Sequence, residues 1–88
     1  MRTHVVFAGR VQGVGFRATA RSIASQFPIT GWVRNEADRS VTLEAQGAPE
    51  AVRAFLDTLG ETMQHHIRSN QEMDVPEVAG EIRFEILR

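Results

Sequence analysis

An α+β sandwich, one antiparallel sheet with two helices on one face, is the fold class this sequence predicts. Three observations carry the prediction. Apolar residues alternate at period two in several short stretches and recur at helical spacing in two longer ones. These stretches run in the order strand, helix, strand, strand, helix, strand. The chain has 88 residues, of which 42% are hydrophobic, so it suffices for one domain over residues 1–88 built on one core.

The elements follow in order. Val5 to Ala8 is an apolar run that ends at Gly9 and reads as a first strand. Beyond a loop, Ala20, Ile23, Ala24 and Phe27 fall at i, i+3, i+4 and i+7, one stripe of a helix that Pro28 stops because it lacks an N–H. Gly31 to Asn35 reads as a second strand, Glu36 to Ser40 as a polar turn, and Val41, Leu43 and Ala45 as the alternating face of a third. Pro49 opens a second helix at a position where its missing donor is harmless. Val52, Phe55, Leu56, Leu59 and Met63 form its buried stripe. From His65 to Gly80 the pattern weakens to an irregular strand and a loop around Pro76, with Ser69, Asn70 and Gln71 where alternation is expected. Ile82, Phe84 and Ile86 alternate with charged residues as a clear final strand. This order, with room for one added short strand, is the split βαβ, ferredoxin-like arrangement. Its topology brings the loop after the first strand and the end of the second strand to one edge of the sheet.

Composition narrows the function classes. No apolar run is long enough to span a bilayer, and no charged-then-apolar leader stands at the N-terminus, so no membrane partner is expected. With no cysteine there is no disulfide, thiolate nucleophile or cysteine metal site, which agrees with a cytoplasmic location. The formal net charge is −1 and the pI about 6.3, whereas nucleic-acid modules usually carry a basic excess. No aromatic ribonucleoprotein motif stands in the chain, and the Phe residues fall mostly on core stripes, so no nucleic acid is expected as a partner. No exposed apolar stripe calls for an obligate dimer, and a monomer is expected.

The segment Gly9-Arg10-Val11-Gln12-Gly13-Val14-Gly15-Phe16-Arg17 lies where a strand hands over to a helix. Glycines let backbone N–H groups approach a ligand, and successive N–H groups at such a turn form a concave anion nest. The following helix points its free N–H groups into the same space, and Arg17 adds a charged fork suited to phosphoryl oxygens. The same two glycines also suit a plain tight turn. A Walker A loop is excluded because no Gly-Lys-Ser/Thr follows, and the dinucleotide pattern fails for want of a third glycine. Asn35, at the end of the second strand, has the side chain to hold a water, since an amide both donates and accepts. It equally suits a turn residue that satisfies local backbone.

Other residues invite simpler readings. His65 and His66 are adjacent, so they diverge on regular structure, and Glu61 is the one carboxylate at helical spacing before them; no metal is expected. His4 and Trp32 read as sheet-face residues, and Arg53, Asp57 and Glu61 as a solvated helix face.

Taken together, residues 9–17 and Thr30-Gly31-Trp32-Val33-Arg34-Asn35 closely resemble the acylphosphatase family, and length and element order agree over nearly the whole chain. The resemblance implies a ferredoxin-like fold and hydrolysis of small acyl phosphates to a carboxylate and inorganic phosphate, with no cofactor and no metal. It implies that Arg17 binds the phosphoryl group and that Asn35 orients the attacking water. Gln12, Gly13, Val14, Gly15 and Phe16 then match the phosphate-cradling loop. Neither Arg17 nor Asn35 is a good general base, so the implied mechanism is substrate-assisted. Two positions depart from the family pattern. Arg39 stands where the turn before the third strand usually has glycine, and a left-handed arginine there costs about 1 kcal/mol or more, so a different turn shape is expected. Ala20 stands where threonine is common, three residues beyond the motif arginine. The alternative to an enzyme is a non-catalytic module of the same fold that binds phosphate or carbamoyl phosphate. Family members also open larger hydrogenase-maturation proteins, a role against which the chain's one-domain length counts.

Overall fold

The computed structural model describes all residues, 1–88. Seven elements follow one another: β1 (Arg2–Gly9), α1 (Phe16–Ala24), β2 (Thr30–Asn35), β3 (Val41–Gln46), α2 (Pro49–Thr62), β4 (Ile67–Asp74) and β5 (Phe84–Ile86). The strands form one sheet in the order β4-β1-β3-β2-β5. β1 pairs antiparallel with β3, from Arg2 opposite Gln46 to Phe7 opposite Val41, and β2 pairs antiparallel with β3.

Alternation sorts the strand residues between two faces. Val5, Phe7, Val33, Val41, Leu43 and Ala45 point to the helices and are almost wholly buried. Phe16, Ala20, Ile23 and Ala24 of α1 and Val52, Phe55, Leu56 and Leu59 of α2 close the core from the other side. Gly31 is held in β2 by a close approach. Its φ is 151°, and a Cβ there would lie 1.8 Å from the Glu44 carbonyl oxygen.

Three sequence expectations are corrected. α1 ends at Ala24 and not at Phe27, because the chain tightens before the proline: Gln26 N–H donates to Ile23 O and Phe27 N–H to Ala24 O. Phe27 still reaches the core, its ring edge-on to Phe55 at 6.4 Å. The weakly patterned stretch after His65 holds a regular eight-residue strand, β4, paired antiparallel with β1 from Thr3 opposite Asp74 to Ala8 opposite Ser69. It lies at the sheet edge and is exposed along nearly its whole length, so hydrogen bonds hold it and apolar alternation is not required. The cleanly alternating end is the short added strand. β5 pairs parallel with β2, which makes a mixed sheet of one expected to be antiparallel throughout.

Residues 75–83 carry the chain from one sheet edge to the other and are clasped by Arg2, which is 3% exposed. Its guanidinium donates to Glu44 at 2.6 Å, to Gln46 at 3.0 Å and bidentately to Glu81 at 2.8 and 3.2 Å. Burial pushes the Glu44 and Glu81 carboxyls up, but their bonds from Arg2, joined by His4 at Glu44 and Thr30 at Glu81, hold both below the ordinary value. No helix is long and apolar enough to cross a membrane.

Candidate active site

The loop between β1 and α1 hangs on two buried apolar anchors, Val11 at 0% and Phe16 at 2% exposure. Phe16 packs on Phe7 of β1 with ring centroids 5.0 Å apart. Between the anchors the chain must turn sharply. Gly13 and Gly15 do this with φ of 77° and 78°, while a Cβ at either would meet nothing within 4 Å. Backbone conformation and not crowding therefore demands glycine there. Gly15 also caps α1 in the left-handed conformation, with no side chain covering the first turn. As a result the backbone N–H groups from Gln12 to Ala18 find no acceptor within the chain.

Asn35 ends β2 on the helix-facing side of the sheet, in step with Val33 and Gly31. Arg17 rises from the first turn of α1. Both line one cavity of about 310 Å³ together with Gly13, Gly15 and Phe16. The expectation that the loop and the end of β2 meet is met in the structure. The guanidinium of Arg17 makes no ion pair or side-chain hydrogen bond within the chain.

Gln12 and Val14 stand apart from this lining. Val14 is exposed at the loop tip, at 37%. Gln12 turns its side chain inward, where Nε2 donates to Glu36 O at 2.8 Å and Ser40 O at 2.9 Å. It thus ties the loop to the residue after Asn35, a link the sequence did not reveal. The turn it grips is itself braced. Thr42 and Arg34 hydrogen-bond the Glu36 carboxylate and hold it below its ordinary value, so Glu36 is occupied outside the cavity. Arg39 has a φ of 75°, so the turn keeps the left-handed residue and does not change shape as expected.

Sequence reasoning missed Val11, Ala18, Ile86 and Arg88 in the lining. Ile86 and Arg88 arrive only because β5 adds beside β2, which local pattern does not announce. No aspartate, glutamate, histidine or cysteine side chain lines the cavity. Trp32 lies on the other sheet face, with the Arg34 guanidinium 5.0 Å from its ring and His4 edge-on at 6.0 Å. It takes no part in this lining.

The family model described as Acylphosphatase matches residues 3–86. The chain belongs to the acylphosphatase family. An acylphosphatase of Methanospirillum hungatei is 39% identical over 88 residues, covering 99% of this chain and 97% of that one. One of Geobacillus thermodenitrificans is 52% identical over a shorter stretch of 58 residues, which spans 66% of this chain and 62% of that relative. In structure, the acylphosphatase of Bacillus subtilis superposes with a TM-score of 0.87 at 26% identity, covering 99% and 98% of the two chains. Membership carries the general activity of an acylphosphatase, a hydrolase of acid anhydrides. In this acylphosphatase fold the motif loop and Asn35 line one cavity.

Proposed function

We propose that this chain hydrolyses small acyl phosphates without a metal, with Arg17 and the loop amides holding the phosphoryl group and Asn35 placing the water. The observation that carries the reading is a cavity whose donors all suit an oxyanion. Arg17 and Asn35 line it beside glycines, and the amides from Gln12 to Ala18 are free of internal partners. Phosphoryl transfer requires mainly positioning and stabilisation of charge on the equatorial oxygens. Backbone N–H groups and a guanidinium fork supply that charge stabilisation in fixed geometry. No aspartate, glutamate or histidine side chain lines the cavity to hold a metal, which supports the reading that protein donors meet the charge.

The water's oxygen forms a bond to phosphorus as the bond from phosphorus to the acyl oxygen breaks. The leaving group departs as a carboxylate, already a weak base that needs no protonation. Asn35 accepts from the water through its carbonyl and holds its lone pair in line. The proton released by the water passes to a phosphoryl oxygen, since no carboxylate or imidazole side chain lines the cavity to act as general base. The products are the carboxylate and inorganic phosphate.

The test is phosphate release from benzoyl phosphate in the presence of a chelator. Arg17→Ala should lower the rate by about 10³-fold and Asn35→Ala by about 10²-fold, as removal of an oxyanion donor does. Arg17→Lys should also fail, because a point charge does not reproduce the fork. Wild-type rates no better than those of Arg17→Ala would refute the reading. Phosphate-dependent thermal protection without any hydrolysis would instead support a binding module.

A further inference from the structure

The opposite sheet face holds a second basic depression that the proposed hydrolysis does not use. All ten basic residues of the chain are arginines. Arg2, Arg34, Arg53 and Arg83 are ion-paired, while Arg10, Arg39 and Arg68 have no carboxylate within pairing distance. These three collect at one end of the sheet. Arg39 and Arg68 flank a cavity of about 400 Å³, and Arg68 and Arg10 flank a second of about 340 Å³ that shares Gly9 with the first.

The depression has a simple origin. Ala8 pairs with Ser69, and the register of β1 with β3 carried one step on sets Ser40 on its other side. Three small side chains in one row leave a trough between larger neighbours. Arg39 stands over it from a left-handed backbone position, φ 75°, that costs an arginine about 1 kcal/mol or more and a glycine nothing. Strain of that kind collects at ligand clamps. Arg68 enters from β4 just beyond the register shift at Ala8 and Gly9.

One carboxylate faces the first cavity, that of Asp38. It accepts from the Ser40 hydroxyl at 2.6 Å and the Ser40 amide at 3.0 Å, so its lone pairs are partly engaged by the turn. Two guanidiniums against one engaged carboxylate leave the cavity positive. The second cavity adds Arg10, His65 and His66 and no acid. With Arg68 shared between them, the pair fits an anion with two adjoining charged groups. No phenylalanine, tyrosine or tryptophan lines either cavity, so neither offers a large stacking surface for a base.

We propose that this trough is a binding site for a small diphosphate-class anion, with one phosphoryl group between Arg39 and Arg68 and the next between Arg68 and Arg10. It is separate from the hydrolytic cavity, and it stands whether or not that cavity works as proposed above.

Inorganic diphosphate is the probe, titrated at constant ionic strength into the full chain labelled with ¹⁵N, with orthophosphate as the single-group control. Saturable amide shifts are expected at residues 8–10, 38–40 and 65–69, and they should persist in Arg17→Ala, which lacks the hydrolytic guanidinium. Orthophosphate should bind there at least tenfold more weakly. The double variant Arg39→Gly/Arg68→Ser should weaken diphosphate binding at least tenfold. Arg39→Gly relieves a strained position, so an unchanged dispersion of amide signals should show the variant folded. Shifts confined to residues 12–18 and Asn35, equal binding of the two anions, or wild-type affinity in the folded double variant would each overturn the proposal.

Discussion

Two arginines at opposite ends of the molecule show how differently one side chain is used. Arg2 is buried, and its nitrogens are matched by Glu44, Gln46 and Glu81. Arg17 is half-buried, faces a cavity and meets no carboxylate. The difference lies in what surrounds each. Arg2 sits where β1, β3 and the 75–83 connection meet; β3 supplies Glu44 and Gln46 as acceptors and the connection supplies Glu81. Arg17 sits on a turn whose neighbours are backbone donors, which repel a second donor unless an anion lies between them. A guanidinium that the fold satisfies is a clasp; one that the fold leaves unsatisfied beside free amides is, on the proposed function, a binding group.

The comparison can be broken by exchanging the consequences. The largest effect expected is on rate: Arg17→Ala should lose about 10³-fold in hydrolysis while its urea midpoint moves little, since no internal partner is lost. Arg2→Met should do the reverse. It strands two partly buried carboxylates and should cost about 3 kcal/mol of stability, with the rate per folded molecule retained. A variant of Arg2 that stayed stable but lost turnover would erase the distinction.

Acid should act on the clasp before the cavity. Glu44 and Glu81 titrate below their ordinary value of 4.5 in the folded protein. The unfolded chain therefore binds more protons in that range, and the stability these groups contribute, fully present above the ordinary value, is lost as pH falls through the lowered ones. Urea midpoints should fall from neutral pH to pH ~3, and the drop should shrink in Arg2→Met, where the carboxyls lose the bonds that lower them. An equal acid dependence in the two proteins would show that other groups set it.

The smallest effect concerns the turn between β2 and β3, at the cavity end of the sheet. Arg39→Gly removes left-handed strain and restores chain entropy to the unfolded state, for a net gain of about 0.5 kcal/mol read from thermal melts. Hydrolysis of benzoyl phosphate should be unchanged, because Arg39 lies outside the cavity of Arg17 and Asn35.

Much of the fold was legible in local pattern. The stripe of Val52, Phe55, Leu56 and Leu59 marks α2 because a helix buried on one face must repeat its apolar residues. The hairpin of β2 and β3 shows because alternation and a polar turn are both local. β4 was nearly invisible for the opposite reason. Its sequence, Ile67 to Asp74, is polar at an exposed edge, and pairing with β1, at the far N-terminal end of the chain, is what makes it a strand. The parallel pairing of β5 with β2 is equally non-local.

The candidate site divides along the same line. By itself the sequence determined which groups the proposed chemistry draws on: two glycines that can adopt positive φ, an arginine at the head of a helix, and an amide at a strand end. Those are properties of single residues and short spacings, which survive without knowledge of the fold. Tertiary structure alone decided that Gln12 would grip Glu36 and Ser40, that Ile86 and Arg88 would line the cavity, and that Arg39, Arg68 and Arg10 would gather behind the sheet. Each depends on which strands lie side by side. That order is set by burial of a core shared across the whole chain, and no short stretch contains it.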